Sequence, residues 1–340
     1  MSIPREFTAF VATKVLDDAG KDVGVDRSVG LLAASDLPDG EVTIRVRYSC
    51  VNYKDALATL PNTGVARLSP LVPGVDLAGE VVASTVAEFA VGDDVVVNGG
   101  DIGTGRHGGY ATYARVPAAR IVRMPVGLTP RQAMGIGTAG FTAAQSVMAL
   151  EAIGGLTPGN GPVLVTGATG GVGSTAVGIL ATRGYEVVAS TGKADKADFL
   201  LSLGASQVID RADTSAESKR VLEGERWAGV VDCVGGSTLA YALRTAQYGA
   251  SVAASGLTGG SALNTSVLPF ILRGVNLLGI DSVSIPMAQR VAIWERCATD
   301  LRPVGIDGEL LTEIGLDGLD HALTMIRAGD VSGRIVVRLD

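Results

Sequence analysis

The sequence predicts a doubly wound α/β domain on a parallel sheet, joined to a smaller β-rich domain. Three observations predict it. From residue 163 onward, apolar strand-like runs alternate with helical stretches. A glycine-dense turn lies directly between the first such run and the helix that follows. Before residue 126 the chain reads as short alternating segments bounded by Gly, Asp and Pro. Repeated βα units stack into a parallel sheet with helices on both faces, whereas short strands with close turns make a compact β unit.

In the first third, EVTIRVRYSCV (Glu41–Val51) sets Val42, Ile44, Val46 and Tyr48 against polar neighbours, the period-two pattern of a half-buried strand. GEVVAS (Gly79–Ser84), VGDDVVV (Val91–Val97) and GGYATYARVP (Gly108–Pro117) follow as further strands. The character changes near Pro125–Thr129, and a helix is expected over Ala139–Ala152. Six strands then read VLVTG (Val163–Gly167), EVVAS (Glu186–Ser190), QVID (Gln207–Asp210), GVVDCVG (Gly229–Gly235), SVAASG (Ser251–Gly256) and VNLLGID (Val275–Asp281). Helices are expected near Val172–Arg183, Lys196–Leu203, Ser215–Leu222 and Leu239–Ala246. The tail from Ile285 holds a helix and ends in GRIVVRLD, a strand expected to return to the first domain. The expected division is 1–126 with 285–340 returning, and 127–284.

The 340 residues suit about two domains. At 47% hydrophobic and 19% charged, the chain has the composition of a large core, not of disorder. Its formal net charge of −7 and the lack of a dense Lys/Arg run argue against a nucleic-acid partner. Cys50, Cys233 and Cys297 form no CxxC pair and read as free thiols of a reducing, cytoplasmic compartment. Arg5, Glu6 and Lys14 break any leader-like apolar run at the N-terminus. The uncharged stretch Ala152–Thr182 is long enough for a membrane span, but Pro158, Pro162 and the central glycines interrupt it. A strand, a tight turn and a helix are expected there instead, with no membrane partner.

The turn is VTGATGGVGSTAVGILA, Val165–Ala181. Following a strand and opening a helix is the context in which such glycines bind a dinucleotide. Thr169, Gly170, Gly171, Val172 and Gly173 allow a tight turn, close approach of backbone to a pyrophosphate, and close helix-on-strand packing. The helix N-terminus then offers free N–H groups to the phosphates. A carboxylate about 20 residues on would favour NAD by binding the ribose 2′-hydroxyl. Here the second strand ends Ser190, Thr191, Gly192, Lys193, with no acid. Lys193, the Thr191 hydroxyl and Arg211 after the third strand instead suit a 2′-phosphate, so the cofactor expected is NADPH.

These segments resemble the medium-chain dehydrogenase/reductase superfamily, on its zinc-free quinone-oxidoreductase side. VNYKDALA (Val51–Ala58), PGVDLAGEVV (Pro73–Val82), VGDDVVV, HGGYATYARV and GTAGFTA (Gly137–Ala143) fall in that family's order over nearly the whole chain. VNYKDALA together with TGATGGVGSTAV and PFILRGVNLLGIDSV (Pro269–Val283) is similar to the acryloyl-CoA reductase subfamily. The resemblance implies a GroES-like catalytic domain beside a Rossmann-like one, with NADPH in the cleft between them. It implies reduction of an activated carbon–carbon double bond, acryloyl-CoA to propanoyl-CoA first. Carried over by position, cofactor contacts fall on Tyr53, the Gly170–Gly173 loop, Thr191–Lys193, Arg211, Leu257, Ile271 and Ser282. Where the zinc-dependent branch has its first zinc cysteine this chain has Asn52; the GHE segment is Gly74-Val75-Asp76, and the third ligand position is Ile136. Asn98–Val116 lacks the four cysteines of a structural zinc lobe. With only His107 and His321 in the chain, no metal is expected.

Reducing an unsaturated thioester needs a hydride donor for the β-carbon, a proton for the α-carbon and hydrogen-bond donors near the forming enolate oxygen. Asn52, Tyr53 and Lys54 offer an amide, a phenol and an ammonium in one segment, and Tyr53 and Asn52 are the candidate catalytic residues. The alternative for this segment is local: Asn52 caps a helix, Asp55 answers its first-turn amides, and Tyr53 packs on the nicotinamide. His107 reads as a loop residue and His321 as structural. The rival enzyme is an NADPH-dependent quinone reductase, and a rival of another class is a non-catalytic NADPH-binding sensor or structural protein. The apolar strand VNLLGIDSV at the end of the βα series points to a homodimer formed across that edge.

Overall fold

The computed structural model describes residues 3–216 and 218–340. In chain order the elements are β1 (Glu6–Leu16), β2 (Asp22–Ala33), β3 (Val42–Cys50), α1 (Tyr53–Ala58), β4 (Asp76–Ser84), β5 (Asp94–Asn98), β6 (Tyr113–Val116), β7 (Ile121–Arg123) and α2 (Pro130–Ala152). Then come β8 (Val163–Val165), α3 (Gly171–Thr182), β9 (Val187–Thr191), α4 (Ala197–Ser202), β10 (Gln207–Asp210), α5 (Ala212–Ser215), β11 (Trp227–Asp232), α6 (Gly236–Thr245), β12 (Ala246–Ala254), α7 (Leu268–Arg273) and β13 (Asn276–Gly279). The chain closes with α8 (Met287–Cys297), β14 (Leu311–Ile314), α9 (Leu319–Ala328) and β15 (Arg334–Arg338). Two compact units result. One contains the residues up to Thr138, Val283–Ala292 and Leu311–Asp340; the other contains Ala139–Ser282 and Ile293–Leu310.

The first unit carries a seven-stranded sheet, β14-β15-β3-β4-β5-β7, with β6 pairing β3. The alternation along β3 is obeyed: Val42, Ile44 and Val46 are fully buried among Leu77, Val81, Val95 and Val97. Each such side chain contributes about 1.5–3 kcal/mol by leaving water. Their neighbours Arg45 and Arg47 face the other way, and both bond Glu80, at 2.8 and 2.6 Å. The final strand β15 pairs antiparallel with β3 through Val336–Arg338. The long hairpin β1–β2 was not expected from the sequence; the outer residues Val23, Val29 and Leu31 are exposed, so its burial pattern is irregular.

The second unit is a six-stranded parallel sheet in the order β10-β9-β8-β11-β12-β13. The first βα strand is central and the order reverses beside it, so the carboxyl ends of β8 and β11 flank the crevice that serves as a ligand site in such sheets. Leu164, Val188, Val230 and Val252 fill its core with Leu243 of α6.

Two helices differ from the expected pattern. α2 begins at Pro130 instead of Ala139, and its helical course is broken at Gly137 (φ 50°, ψ −164°). The helix expected at Ser215–Leu222 is not formed: α5 ends at Ser215 and residues 218–222 are irregular, while position 217 lies outside the described residues. Val221 and Leu222 are adjacent in sequence and give that segment no apolar stripe. Arg244 instead holds its two ends, bonding the Ala216 carbonyl and the Glu223 carboxylate. Among the described residues no helix is long and apolar enough to cross a membrane.

Candidate functional site

The dinucleotide loop of the second unit forms at the carboxyl end of β8. Thr166 anchors its start: the hydroxyl donates to Asp232 Oδ1 at 2.7 Å and accepts the Cys233 N–H at 3.0 Å. Asp232 is fully buried and its other oxygen accepts the Gly235 N–H, so it locks the ends of β8 and β11 together. Burial raises its carboxyl above the usual range. At Gly173 any side chain is excluded: a Cβ would stand 2.4 Å from the Gly167 carbonyl oxygen and 2.7 Å from Ala168 Cα, both main chain. Gly170 precedes α3 and no side chain caps that helix, which leaves its first N–H groups for an anion.

Beside the loop, Thr169 and Thr191 share a hydroxyl–hydroxyl bond of 3.2 Å, and the Lys193 N–H donates to Thr191 Oγ1 at 3.1 Å. The parallel register places Asp210 opposite Thr191, and the Arg211 N–H bonds the Thr191 carbonyl at 2.9 Å. The Arg211 side chain then folds over Gly192, where a Cβ would come 2.5 Å from its Nε. Thr169–Gly173, Thr191–Lys193 and Arg211 are thus brought together in one corner, and these residues fit a dinucleotide carrying a 2′-phosphate. Leu257 lies in the loop after β12, at the same carboxyl edge: the Gly259 N–H bonds the Val234 carbonyl, and the Gly260 N–H bonds that of Leu257. Ser282, nearly buried, follows β13 at that edge. Ile271 is not brought to this corner. It sits exposed on α7, two residues before Arg273, whose guanidinium binds the Arg244 and Ala246 carbonyls at the amino edge of the sheet.

In the first unit, Asn52 and Asp55 form the capping box of α1, and the Asp55 carboxylate accepts the Asn52 N–H at 2.9 Å. Asp55 is fully buried and also accepts the Val75 N–H (2.8 Å) and the Tyr110 hydroxyl (3.0 Å). Burial, then the nearby Asp76, push its carboxyl up to about 6. Asn52 turns its Nδ2 inward to Asp76 Oδ2 at 2.8 Å. The same Asp76 oxygen accepts the Cys50 thiol (3.1 Å) and the Thr138 N–H (2.8 Å), and Oδ1 accepts the Thr138 hydroxyl (2.5 Å). Arg334, 2% exposed, closes the cage with bonds to Cys50 Sγ (3.0 Å), the Gly135 carbonyl (3.1 Å) and the Val51 carbonyl (3.2 Å). A Cβ on Gly137 would lie 2.6 Å from Cys50 Sγ and 2.7 Å from Arg334 Nη2, so the break in α2 needs glycine for space as well as for its φ.

Of the three groups the sequence offers here, only Tyr53 (43% exposed) and Lys54 face outward; the Asn52 donor is committed to carboxylates. Ile136 is buried. Among the described residues no three His, Cys, Asp or Glu side chains converge as a metal site requires. His107 Nδ1 accepts the Val72 N–H at 3.2 Å and burial lowers its pKa, while His321 lies exposed on α9. Sequence reasoning missed Cys50, Asp76, Tyr110, Thr138 and Arg334 as one network. The available signals were an acid inside the apolar run PGVDLAG and an arginine opening the apolar strand RIVV.

Comparison with known proteins fits this anatomy. A model of the alcohol dehydrogenase GroES-like domain matches residues 38–126, and one of the zinc-binding dehydrogenase matches residues 171–295. The chain is 51% identical over 331 residues to the acrylyl-CoA reductase AcuI of Ruegeria pomeroyi, covering 97% of this chain and 98% of that one. It is 48% identical over 337 residues to the putative quinone oxidoreductase YhfP of Bacillus subtilis, covering 98% and 99%. A crystal structure of B. subtilis yhfP with NAD bound matches with a TM-score of 0.94 and 46% identity, over 99% of this chain and 100% of that one. The yhdH oxidoreductase of Salmonella enterica, crystallised in complex with NADP, matches with a TM-score of 0.92 and 44% identity, over 98% and 100%. The chain therefore belongs to the medium-chain dehydrogenase/reductase family, in the quinone-oxidoreductase branch that includes the acrylyl-CoA reductases.

Proposed function

We propose that this protein uses NADPH to reduce the carbon–carbon double bond of a short α,β-unsaturated acyl-CoA, with acryloyl-CoA giving propanoyl-CoA as the leading case. The end-to-end similarity to the R. pomeroyi reductase carries this reading. The Thr191–Lys193–Arg211 corner supports the choice of NADPH even though the similar YhfP was crystallised with NAD. Bound NADPH supplies the hydride for the substrate β-carbon. The N–H groups of Gly171–Gly173 would hold the pyrophosphate, Thr191, Lys193 and Arg211 would hold the 2′-phosphate, and Leu257 and Ser282, at the same carboxyl edge, would complete the cofactor contacts. Tyr53 contacts the nicotinamide or the thioester and is the candidate donor to the charge that develops on the thioester oxygen. The chemistry runs without a metal, in the cytoplasm.

β13 is an edge strand with Leu277 exposed, and pairing it with its copy across a two-fold axis makes the protein a homodimer. A second reading, NADPH-dependent quinone reduction, draws on the similarity to YhfP. The test is NADPH oxidation with acryloyl-CoA, crotonyl-CoA and a quinone side by side. Turnover of the enoyl thioesters is expected. Efficient quinone reduction with no oxidation by acryloyl-CoA moves the protein to the second reading.

A further inference from the structure

We infer that Asp55 is a positioning residue for Tyr53: its buried carboxylate holds the first turn of α1, and that turn presents Tyr53 for reaction. The inference rests on the reading of Tyr53 above. Asp55 is fully buried while Tyr53, two residues earlier, is 43% exposed, so Asp55 acts through the backbone and not by touching substrate. α1 has six residues, too few to be stable in isolation, and so depends on its cap and on the packing of Ala56 in one core cluster with Leu319, Ala322 and Leu323 of α9.

Every partner of the Asp55 carboxylate is a donor: the Asn52 and Val75 N–H groups, the Tyr110 hydroxyl and, at 3.3 Å, Asn52 Nδ2. Only the ionised form accepts all of them. The Tyr110 hydroxyl has one proton and two acceptors, Asp55 Oδ2 at 3.0 Å and the Cys50 carbonyl at 3.1 Å. When Asp55 takes a proton, the new O–H donates to Tyr110 Oη, and Tyr110 turns its own proton to the Cys50 carbonyl. That arrangement satisfies both groups but weakens the oxygen that holds the Asn52 N–H, and with it the capping box.

The charged and titratable groups around Asp55 are Asp76 on β4, Cys50 on β3, Tyr110 after the 99–109 loop and Arg334 on β15. The Arg334 guanidinium bonds the Cys50 thiol, and that thiol donates to Asp76; the Asp55 carboxylate has no cation among its hydrogen-bond partners. Burial and the neighbouring Asp76 push Asp55 up to about 6, so this carboxyl takes a proton there. The ionised form prevails above that pH, so activity falls as pH drops through it.

The experiment is a pH profile of kcat at saturating NADPH. It is run with acryloyl-CoA, or with the quinone if that is the acceptor reduced, so that loss of the enoyl reading leaves this one testable. Wild type should lose activity below about pH 6. The Tyr110 hydroxyl lowers the Asp55 pKa, so Tyr110→Phe should move this acid limb to higher pH. Asp55→Asn should lower kcat about tenfold or more and abolish the acid limb, with a smaller effect on NADPH affinity by fluorescence titration. Combined with Tyr53→Ala it should add little, because both variants remove the same presented side chain. An acid limb that stays put in Tyr110→Phe overturns the proposal, and that arm decides alone if Asp55→Asn does not fold. So does full kcat in Asp55→Asn with only a lower melting temperature. A chain that oxidises NADPH with neither acceptor overturns both readings, since Tyr53 then has nothing to act on.

Discussion

The corner formed by Gly192 and Arg211 yields a quantitative expectation about cofactor choice. The Arg211 guanidinium lies over Gly192, and a methyl group there would stand 2.5 Å from Nε, 2.7 Å from Cδ and 2.8 Å from Cζ. Those atoms are the far end of a flexible side chain, so Gly192→Ala should fold normally while expelling the guanidinium from the corner. Arg211→Ala removes the guanidinium outright and keeps the backbone bond from the Arg211 N–H to the Thr191 carbonyl. A hydrogen bond to a charged group contributes about 1.5–3 kcal/mol, and the exposure of Arg211 puts this one near the low end, or roughly tenfold in affinity. Each single variant should therefore raise the Michaelis constant for NADPH about tenfold and leave that for NADH within about twofold. The double variant should be no worse than either single one, because both delete one contact. Steady-state kinetics with both cofactors measures all three. Additive losses, equal effects on NADH, or an unmutated protein that uses both cofactors alike would refute the assignment of this corner to the 2′-phosphate.

Three other expectations follow from the same anatomy. Gly173→Ala drives a Cβ into main chain at 2.4 and 2.7 Å and should lower the melting temperature and cut NADPH affinity more than tenfold, whereas Gly170→Ala, whose Cβ would meet the Gly167 carbonyl oxygen at 3.3 Å, should be milder. Fluorescence titration and thermal melts check both, and equal effects would discredit the close-approach argument. Elemental analysis of chelator-free protein should find no stoichiometric zinc, and one zinc per chain with activity lost on its removal would overturn the metal-free chemistry. Light scattering at micromolar concentration should give twice the chain mass of 34.6 kDa, and a monomer would count against pairing through β13.

Much of the fold was legible because its signals are local. Most strands of the parallel sheet are apolar runs with turn residues at their ends, and the more polar Gln207–Asp210 forms β10 over the residues the pattern marks. Edges drift where propensity is weak: β12 starts at Ala246, five residues before the apolar run SVAASG, because Ala246 pairs with Trp227 ahead of a register shift while AQYGA itself carries no apolar alternation. The cofactor loop was legible for the same reason, since its glycines and the Thr191–Lys193 strand end are short-range features. The cage beneath Tyr53 was not. Cys50 and Arg334 are 284 residues apart, and Asp76 meets Thr138 across 62, separations that no periodicity encodes. Asn52 shows the limit within a single segment. Its capping role was readable from Asp55 three positions on, but the inward turn of its amide toward Asp76 follows only from tertiary packing.

Hydride delivery to a carbon–carbon double bond leaves its record in the placement of isotope in the product. NADPH deuterated on the transferred position of C4, incubated with acryloyl-CoA in ordinary water, should yield propanoyl-CoA with one deuterium on the β-carbon. Unlabelled NADPH in deuterium oxide should place the label on the α-carbon instead. Mass spectrometry and NMR of the product read both. Propanoyl-CoA lacking the β-label, or NADPH consumed with the acryloyl group intact, would rule out hydride transfer to the double bond.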